Sequence, residues 1–378
     1  MIETKTDKRK AYFQPTFGNR PDRIIGRDGE LNAFISGLSE PVGARERCTL
    51  ILGQRGMGKT AMLLEIADRA LAEGFVVARV TAHEHMPSNI IEQIQLNGER
   101  YFREEKRHIS GVNAGAMGFS FGLSFSEPAQ QQYGFRAKLS LLCDRLAEKK
   151  KGVLILIDEV YTSSAMREVA ASYQELVGDQ KNIAMCMAGL PHAVSGVLND
   201  KVLTFLNRAN KVRLGAISVE SIRAYYEQTF HAMGISVSKE LLEQSAKMTE
   251  GLPYLMQLIG YYLTIYSKDS AIITEEVLNK AHISALKDMD DNVFVPILAP
   301  LSDNDRAFLY AMAGCSEPVT TAELKEKLGP DGPAIQPYRK RLIEAGIIEA
   351  PRRGELVFSV PFFDKYLRNR NPLIGIQE

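Results

Sequence analysis

Residues 50–67 read "LILGQRGMGKTAMLLEIA", and they decide the fold. Within them Gly53, Gly56, Gly58, Lys59 and Thr60 satisfy the spacing G-x-x-x-x-G-K-[ST]. Glycines at these positions let backbone N–H groups turn inward on phosphate oxygens, and the start of a helix adds its positive dipole end. The flanks agree: "CTLILG" is a short apolar run of strand character, and "KTAMLLEIADRALAEG" carries apolar residues at helical spacing with Gly74 as a stop. Strand, glycine loop and helix is the context this motif requires. The nucleotide-binding stretch is therefore Gly53, Gln54, Arg55, Gly56, Met57, Gly58, Lys59, Thr60 and Ala61. ATP or ADP with Mg²⁺ is the expected ligand, Lys59 reaching the β/γ-phosphates and the Thr60 hydroxyl the metal.

Such a loop needs a carboxylate at the end of a neighbouring strand, and "KKGVLILIDEVY" supplies one. The run Val153–Ile157 is wholly apolar, as in a central parallel strand covered on both faces. Asp158 is then the magnesium-side carboxylate, and Glu159 is the group that orients and deprotonates the attacking water. With Glu159 present, the site is equipped to cleave nucleotide as well as to hold it. A further strand, "NIAMCMAGL", follows the helical stretch "SAMREVAASYQELVGD", giving the layout of a doubly wound α/β sheet.

Composition limits the remaining choices. At 378 residues, two or three domains are expected, and 45% hydrophobic with 24% charged residues is ordinary for a globular chain. Lys plus Arg equals Asp plus Glu at 46 each, so contact with nucleic acid must come from a local patch. Cys48, Cys143, Cys186 and Cys315 lie far apart without metal spacing and read as reduced core thiols. A polar N-terminus and the lack of any apolar run of spanning length point to a cytoplasmic protein without a membrane partner.

Together these motifs resemble the AAA+ ATPases, in particular the origin-recognition or initiator-like branch with its bacterial and archaeal relatives. "PTFGNRPDRIIGRDGELNAF" looks like that branch's N-terminal box, which implies that Ile25 and Gly26 line the adenine pocket. The resemblance places an arginine finger for a neighbouring subunit's nucleotide at Arg208 in "FLNRANKVRLGAIS", with Arg213 as a competitor. Two departures stand out. The third strand ends "MAGLP", without the polar side chain the family usually offers to water. The lid stretch "TEGLPYLMQLIGYYL" lacks the family's arginine and instead carries Gly251-Leu252-Pro253, which looks like the STAND signalling ATPases, where the proline helps hold nucleotide. Both departures imply slow turnover.

Four amphipathic helical stretches fill 218–288 and read as a helical lid over the nucleotide. The interval between Lys59 and Asp158 is long for this topology. Its excess, about 109–127, alternates Phe119, Phe121, Leu123 and Phe125 as an inserted two-stranded hairpin would. After a linker around "NVFVPILAPLS", the stretches "SDNDRAFLYAMAG", "VTTAELKEKLG" and "AIQPYRKRLIEAGI" read as three helices, with Pro337 in the first turn of the third. "IIEAPRRGELVFSV" then reads as two strands around Arg353-Gly354. This is a winged helix-turn-helix, whose third helix would enter the major groove while its wing touches backbone. Arg339, Lys340 and Arg341 on the helix and Arg352 and Arg353 on the wing are the DNA contacts it offers.

The expected fold is thus α/β, a P-loop AAA+ doubly wound parallel sheet with a helical lid and a C-terminal winged helix-turn-helix. The expected domains are 1–216 for nucleotide binding, 217–290 for the lid and 300–370 for the winged helix. The expected function is a slowly hydrolysing ATP switch on duplex DNA, with a homo-oligomer as the assembly that Arg208 would complete. Acidic and basic residues balance from 300 to 378, and winged helices also bind proteins. The alternative is therefore a STAND-like regulatory ATPase whose winged helix takes a protein partner.

Overall fold

The computed structural model describes residues 12–15, 22–102, 119–121, 123–125, 133–329 and 334–370. It divides into two units: Arg27–Gly53 with Lys59–Leu214, and Gly215–Glu378 with Met1–Gly26 and the loop residues Gln54–Gly58.

The first unit is built on five parallel strands: β1 (Cys48–Leu52), β2 (Phe75–Thr81), β5 (Gly152–Asp158), β6 (Ile183–Gly189) and β7 (Asn210–Arg213). They run in the order β2-β5-β6-β1-β7. Register places Ile157 of β5 opposite Val80 of β2 and Met187 of β6, and Leu52 of β1 opposite Gly189 and Arg213. All of Val153–Ile157 is fully buried, as is nearly the whole of β6. Each such aliphatic side chain contributes about 1.5–3 kcal/mol when removed from water. The helices of this unit are α1 (Asp28–Leu38), α2 (Lys59–Ala72), α3 (Met86–Gly98), α4 (Phe135–Ala147), α5 (Ser164–Gly178) and α6 (Pro191–Leu198). Ser163 caps α5 by accepting from the Met166 amide at 3.1 Å, which fixes where the chain turns after the Asp158 strand.

The inserted segment is described only in part. β3 (Phe119–Phe121) and β4 (Ser124–Phe125) pair antiparallel, with Phe119 opposite Phe125. Leu123 and Phe125 are buried, and the Leu123 carbonyl accepts from Gln95 of α3 at 2.9 Å. Leu123 and Phe125 are thus packed at the paired strands, while most of 109–127 lies outside the described residues. Before this segment, α3 ends at Gly98 and the chain tightens to a 3₁₀ turn over Glu99–Tyr101.

The second unit opens with α7 (Val219–Ala232), α8 (Lys239–Met248), α9 (Pro253–Tyr266) and α10 (Glu275–Met289). Ser218, Ser238 and Thr274 cap α7, α8 and α10 as side-chain acceptors. Phe13 inserts into this helical group between Tyr225, Tyr226 and Phe230, with ring centroids 5.6–5.8 Å away. Gly260 of α9 makes room for it, because a Cβ there would fall 2.2 Å from the Phe13 ring.

One expectation fails here. The stretch read as a linker is helical: α10 passes into a π-turn at Asp290–Phe294 and a further turn at Val295–Leu298. Phe294 is buried, 5.4 Å from the ring of Phe363 and 4.9 Å from that of Tyr366. Its apolar residues serve a continuous core, and Pro296 stands at the second position of the last turn.

The C-terminal part follows with α11 (Asp303–Ala313), α12 (Thr321–Leu328), α13 (Ile335–Glu344) and α14 (Phe363–Asn369). Its sheet has the order β8-β10-β9, formed by β8 (Val319–Thr320), β9 (Ile348–Glu349) and β10 (Glu355–Phe358). Helices with a small antiparallel sheet in this order are consistent with a winged helix. β8 is an addition: Val319 and Thr320 pair with Leu356 and Glu355 before Thr320 caps α12. Ser302 and Asp305 form a reciprocal capping box at the start of α11.

Candidate nucleotide-binding site

The loop that follows β1 turns on two glycines. Gly56 has φ +78° and Gly58 φ +83°, conformations that side-chain-bearing residues rarely adopt. The Met57 amide donates to the Gln54 carbonyl at 3.3 Å, closing the turn between them. Lys59 opens α2, and its ammonium donates to the Gly53 carbonyl at 2.9 Å. The Gly53 amide in turn reaches the Gly189 carbonyl at the end of β6, at 3.4 Å. Gly189 has no space for a side chain, since a Cβ would lie 2.9 Å from Val160 and 3.1 Å from Val194. The tip of β6 therefore meets the loop with backbone alone.

Thr60 and Asp158 come together. The Thr60 hydroxyl donates to Asp158 Oδ2 at 2.6 Å, and the Glu159 amide donates to Asp158 Oδ1 at 2.9 Å. The two strands involved are not neighbours, as the sequence reading assumed, because β6 lies between β1 and β5. Parallel strands ending at one edge of the sheet bring the groups together all the same. A hydroxyl and a carboxylate are hard oxygen donors, the set Mg²⁺ takes alongside phosphate and water. The residues present fit that ion.

Glu159 is exposed and sits at φ +53°, in the left-handed region. A non-glycine residue there is strained and persists only where its surroundings hold it. The next residue supplies the hold: Val160 is buried, and its amide donates to the Ala188 carbonyl at 2.9 Å.

In the second unit, the residues of the N-terminal box and the Gly-Leu-Pro turn gather with the loop residues. Ile25 is buried, and Gly26, at φ +66°, packs against Ile217 and Ser221. Ile217 donates to the Gly251 carbonyl at 2.8 Å, and Pro253 follows as the first residue of α9. A Cβ at Gly58 would stand 4.0 Å from Pro253, and one at Gly56 would stand 3.4 Å from Leu252 and 3.6 Å from Tyr254. Leu252 and Tyr254 are site neighbours that sequence reasoning missed; their adjacency to Pro253 was the available signal. Arg55 is exposed, and Ala61 is half-buried in the first turn of α2.

The remaining residues are dispersed. Arg208 is exposed and ends a 3₁₀ turn, Thr204–Arg208, in the first unit; Arg213 is exposed at the end of β7. Arg352 and Arg353 are exposed in the turn between β9 and β10. Lys340 is exposed and 3.9 Å from Glu344, while Arg339 is half-buried on α13. Arg341 has a structural partner: its guanidinium meets Asp305 at 2.5 Å and lies 4.9 Å over the Tyr338 ring. Burial pushes the Asp305 carboxyl up, but hydrogen bonds from Ser302 and Arg341 outweigh it and hold the group below the usual carboxylate range.

Among the described residues no helix is long and apolar enough to cross a membrane. Residues 23–173 match a family model described as an AAA ATPase domain, and residues 291–367 match one described as a domain of unknown function. No curated protein matches the chain. Among solved structures, a Walker-type ATPase of Pyrococcus abyssi is similar at 15% identity and a TM-score of 0.64, covering 92% of this chain and 97% of that one. The Aeropyrum pernix ORC2 protein in its ADPNP-ADP complexes is similar at 14% identity and a TM-score of 0.58, covering 94% and 95%. The chain thus has an AAA+ P-loop ATPase fold, and its matched ATPase domain supports ATP binding.

Proposed function

We propose that this protein is an ATP-binding, slowly hydrolysing switch that engages duplex DNA through its C-terminal module. The observation that carries the reading is the 2.6 Å hydrogen bond between Thr60 and Asp158, with Glu159 next in sequence. In this reading Lys59 and the loop amides hold the phosphates, and Ile25, Gly26 and Pro253 hold the nucleoside side. Thr60 and Asp158 would hold Mg²⁺, which neutralises charge on the phosphates when bound. Glu159 orients water and accepts its proton. Arg208, exposed on the surface, would reach the nucleotide of a second copy. Slow turnover follows from a β6 tip that offers backbone alone and from a lid turn without arginine. Residues 1–216, 217–290 and 300–370 are the corresponding modules.

Exposed Arg352 and Arg353, with Arg339 and Lys340, support DNA contact; Arg341 supports it less, because Asp305 engages it. That pairing favours a second reading, in which the module binds a protein partner and the chain acts as a STAND-like regulator. Duplex DNA binding measured against salt separates the two. A steep fall in affinity with salt supports DNA, whereas no binding leaves the protein partner.

A further inference from the structure

The first residue of the phosphate loop after Gly53 is tied to the wing. The Gln54 side-chain amide donates to the carboxylate of Glu349, the last residue of β9. Glu349 pairs with Val357 of β10, and the turn between those strands carries Arg352 and Arg353. A second tie lies close by. Lys365 of α14 bonds to Glu250, immediately before the Gly251-Leu252-Pro253 turn whose Leu252 and Pro253 border Gly56 and Gly58. The C-terminal module therefore holds the phosphate loop at Gln54 and the start of the turn that borders it at Glu250.

The two ties differ in chemistry. The Lys365–Glu250 pair is half exposed at 56% and 51%, so it contributes little by itself. Glu349 is half-buried and sets a carboxylate against a loop built to receive a polyanion. Like charges at such range oppose each other, the more so away from bulk water. A glutamine at 349 would reach Gln54 equally well without that opposition, so a purely structural contact has no need of the charge.

We propose that the Gln54–Glu349 contact is an autoinhibitory latch: it holds the wing on the phosphate loop, and the charge of arriving ATP releases it. By linkage, a latch that ATP opens must also weaken ATP binding while it is closed. This rests on the nucleotide reading of the loop given above.

The test uses the full chain, a fluorescent N-methylanthraniloyl ATP with Mg²⁺, and hydrogen exchange across 348–358. Thermal melting checks that Glu349→Gln and Glu349→Ala fold. Both variants should bind the probe about three- to tenfold tighter than wild type, the size expected for one like charge removed near a polyphosphate. In wild type, ATP should speed exchange across the wing strands, and in Glu349→Ala that exchange should already be fast without nucleotide. Unchanged or weaker binding by Glu349→Gln, or a wing whose exchange ignores ATP, overturns the latch while leaving the nucleotide site standing. A wild-type chain that does not bind the probe removes the nucleotide reading itself, and the latch with it.

Discussion

The Thr60 hydroxyl and the Asp158 carboxylate meet at 2.6 Å although a whole strand, β6, separates the strands that lead to them. The meeting depends on all these strands running parallel and ending together, so the chemistry of the site is a property of the sheet edge. Substituting either residue should affect metal-dependent steps before it affects folding. Thr60→Ala is expected to lower Mg²⁺-dependent ATP hydrolysis by about two orders of magnitude, a loss of the size seen when one transition-state donor is removed. Its melting temperature should stay near that of wild type. Steady-state phosphate release with a thermal melt checks both.

Glu159 supplies no strand packing and is exposed, so its removal should be a kinetic event. Glu159→Gln should retain ATP and lose hydrolysis by about 10²–10⁴-fold, the usual contribution of a positioned general base. Equal rates for the two proteins would show that another group handles the water.

Phe13 and Gly260 form a matched pair in the helical unit. Gly260→Ala should destabilise the protein, because its Cβ would fall 2.2 Å from the edge of the Phe13 ring. Phe13→Ala should itself cost about 3–5 kcal/mol, as for a fully buried aromatic. In the Phe13→Ala background, Gly260→Ala should be close to neutral. A double-mutant cycle by chemical denaturation reads this directly, and additive losses would contradict the proposed packing.

Asp305 gives the C-terminal module an acid-sensitive point. Its carboxyl is held below the ordinary range, despite burial, by bonds from Ser302 and Arg341. A depressed acid stabilises the fold fully above its unfolded pKa, and that contribution disappears as pH falls through the folded value. Asp305→Ala should therefore cost about 1–2 kcal/mol at neutral pH through the lost cap. The variant should fall closer to wild type at strongly acidic pH. Denaturation at both pH values measures the difference.

Cys143 is buried in the first unit, and burial pushes its thiol up to about 12. Such a thiol is almost wholly protonated at pH 8, and the thiol form is not the nucleophile. Labelling of Cys143 by a disulfide reagent, followed by peptide mapping, should be slow in the native chain and complete in denaturant.

The parts of the site legible in the sequence were those whose signal is local. The glycine spacing of 53–60 and the apolar run ending at Asp158-Glu159 each lie within a short stretch of chain; the first forms the turn between β1 and α2, and the second is β5 with the residue after it. Strand order is not written locally, which is why β6 came between β1 and β5 unannounced. The stretch 292–302 misled because Pro296 and Pro300 read as linker punctuation, whereas Phe294 serves a core formed with distant Phe363 and Tyr366. Arg341 looked like one of a basic run until Asp305, a partner 36 residues away, came within bonding distance. The Gln54–Glu349 contact spans 295 residues, and no periodicity could have signalled it.

The central claim is a slow, Glu159-dependent ATPase that answers to DNA. Steady-state ATP hydrolysis with and without duplex DNA, on samples whose oligomer size is followed in parallel, tests it most directly. The expected result is turnover below about 1 s⁻¹, at or under the lower end of common enzyme rates, that changes when DNA is added and vanishes in Glu159→Gln. Hydrolysis that is absent, or indifferent to both DNA and Glu159, would contradict it.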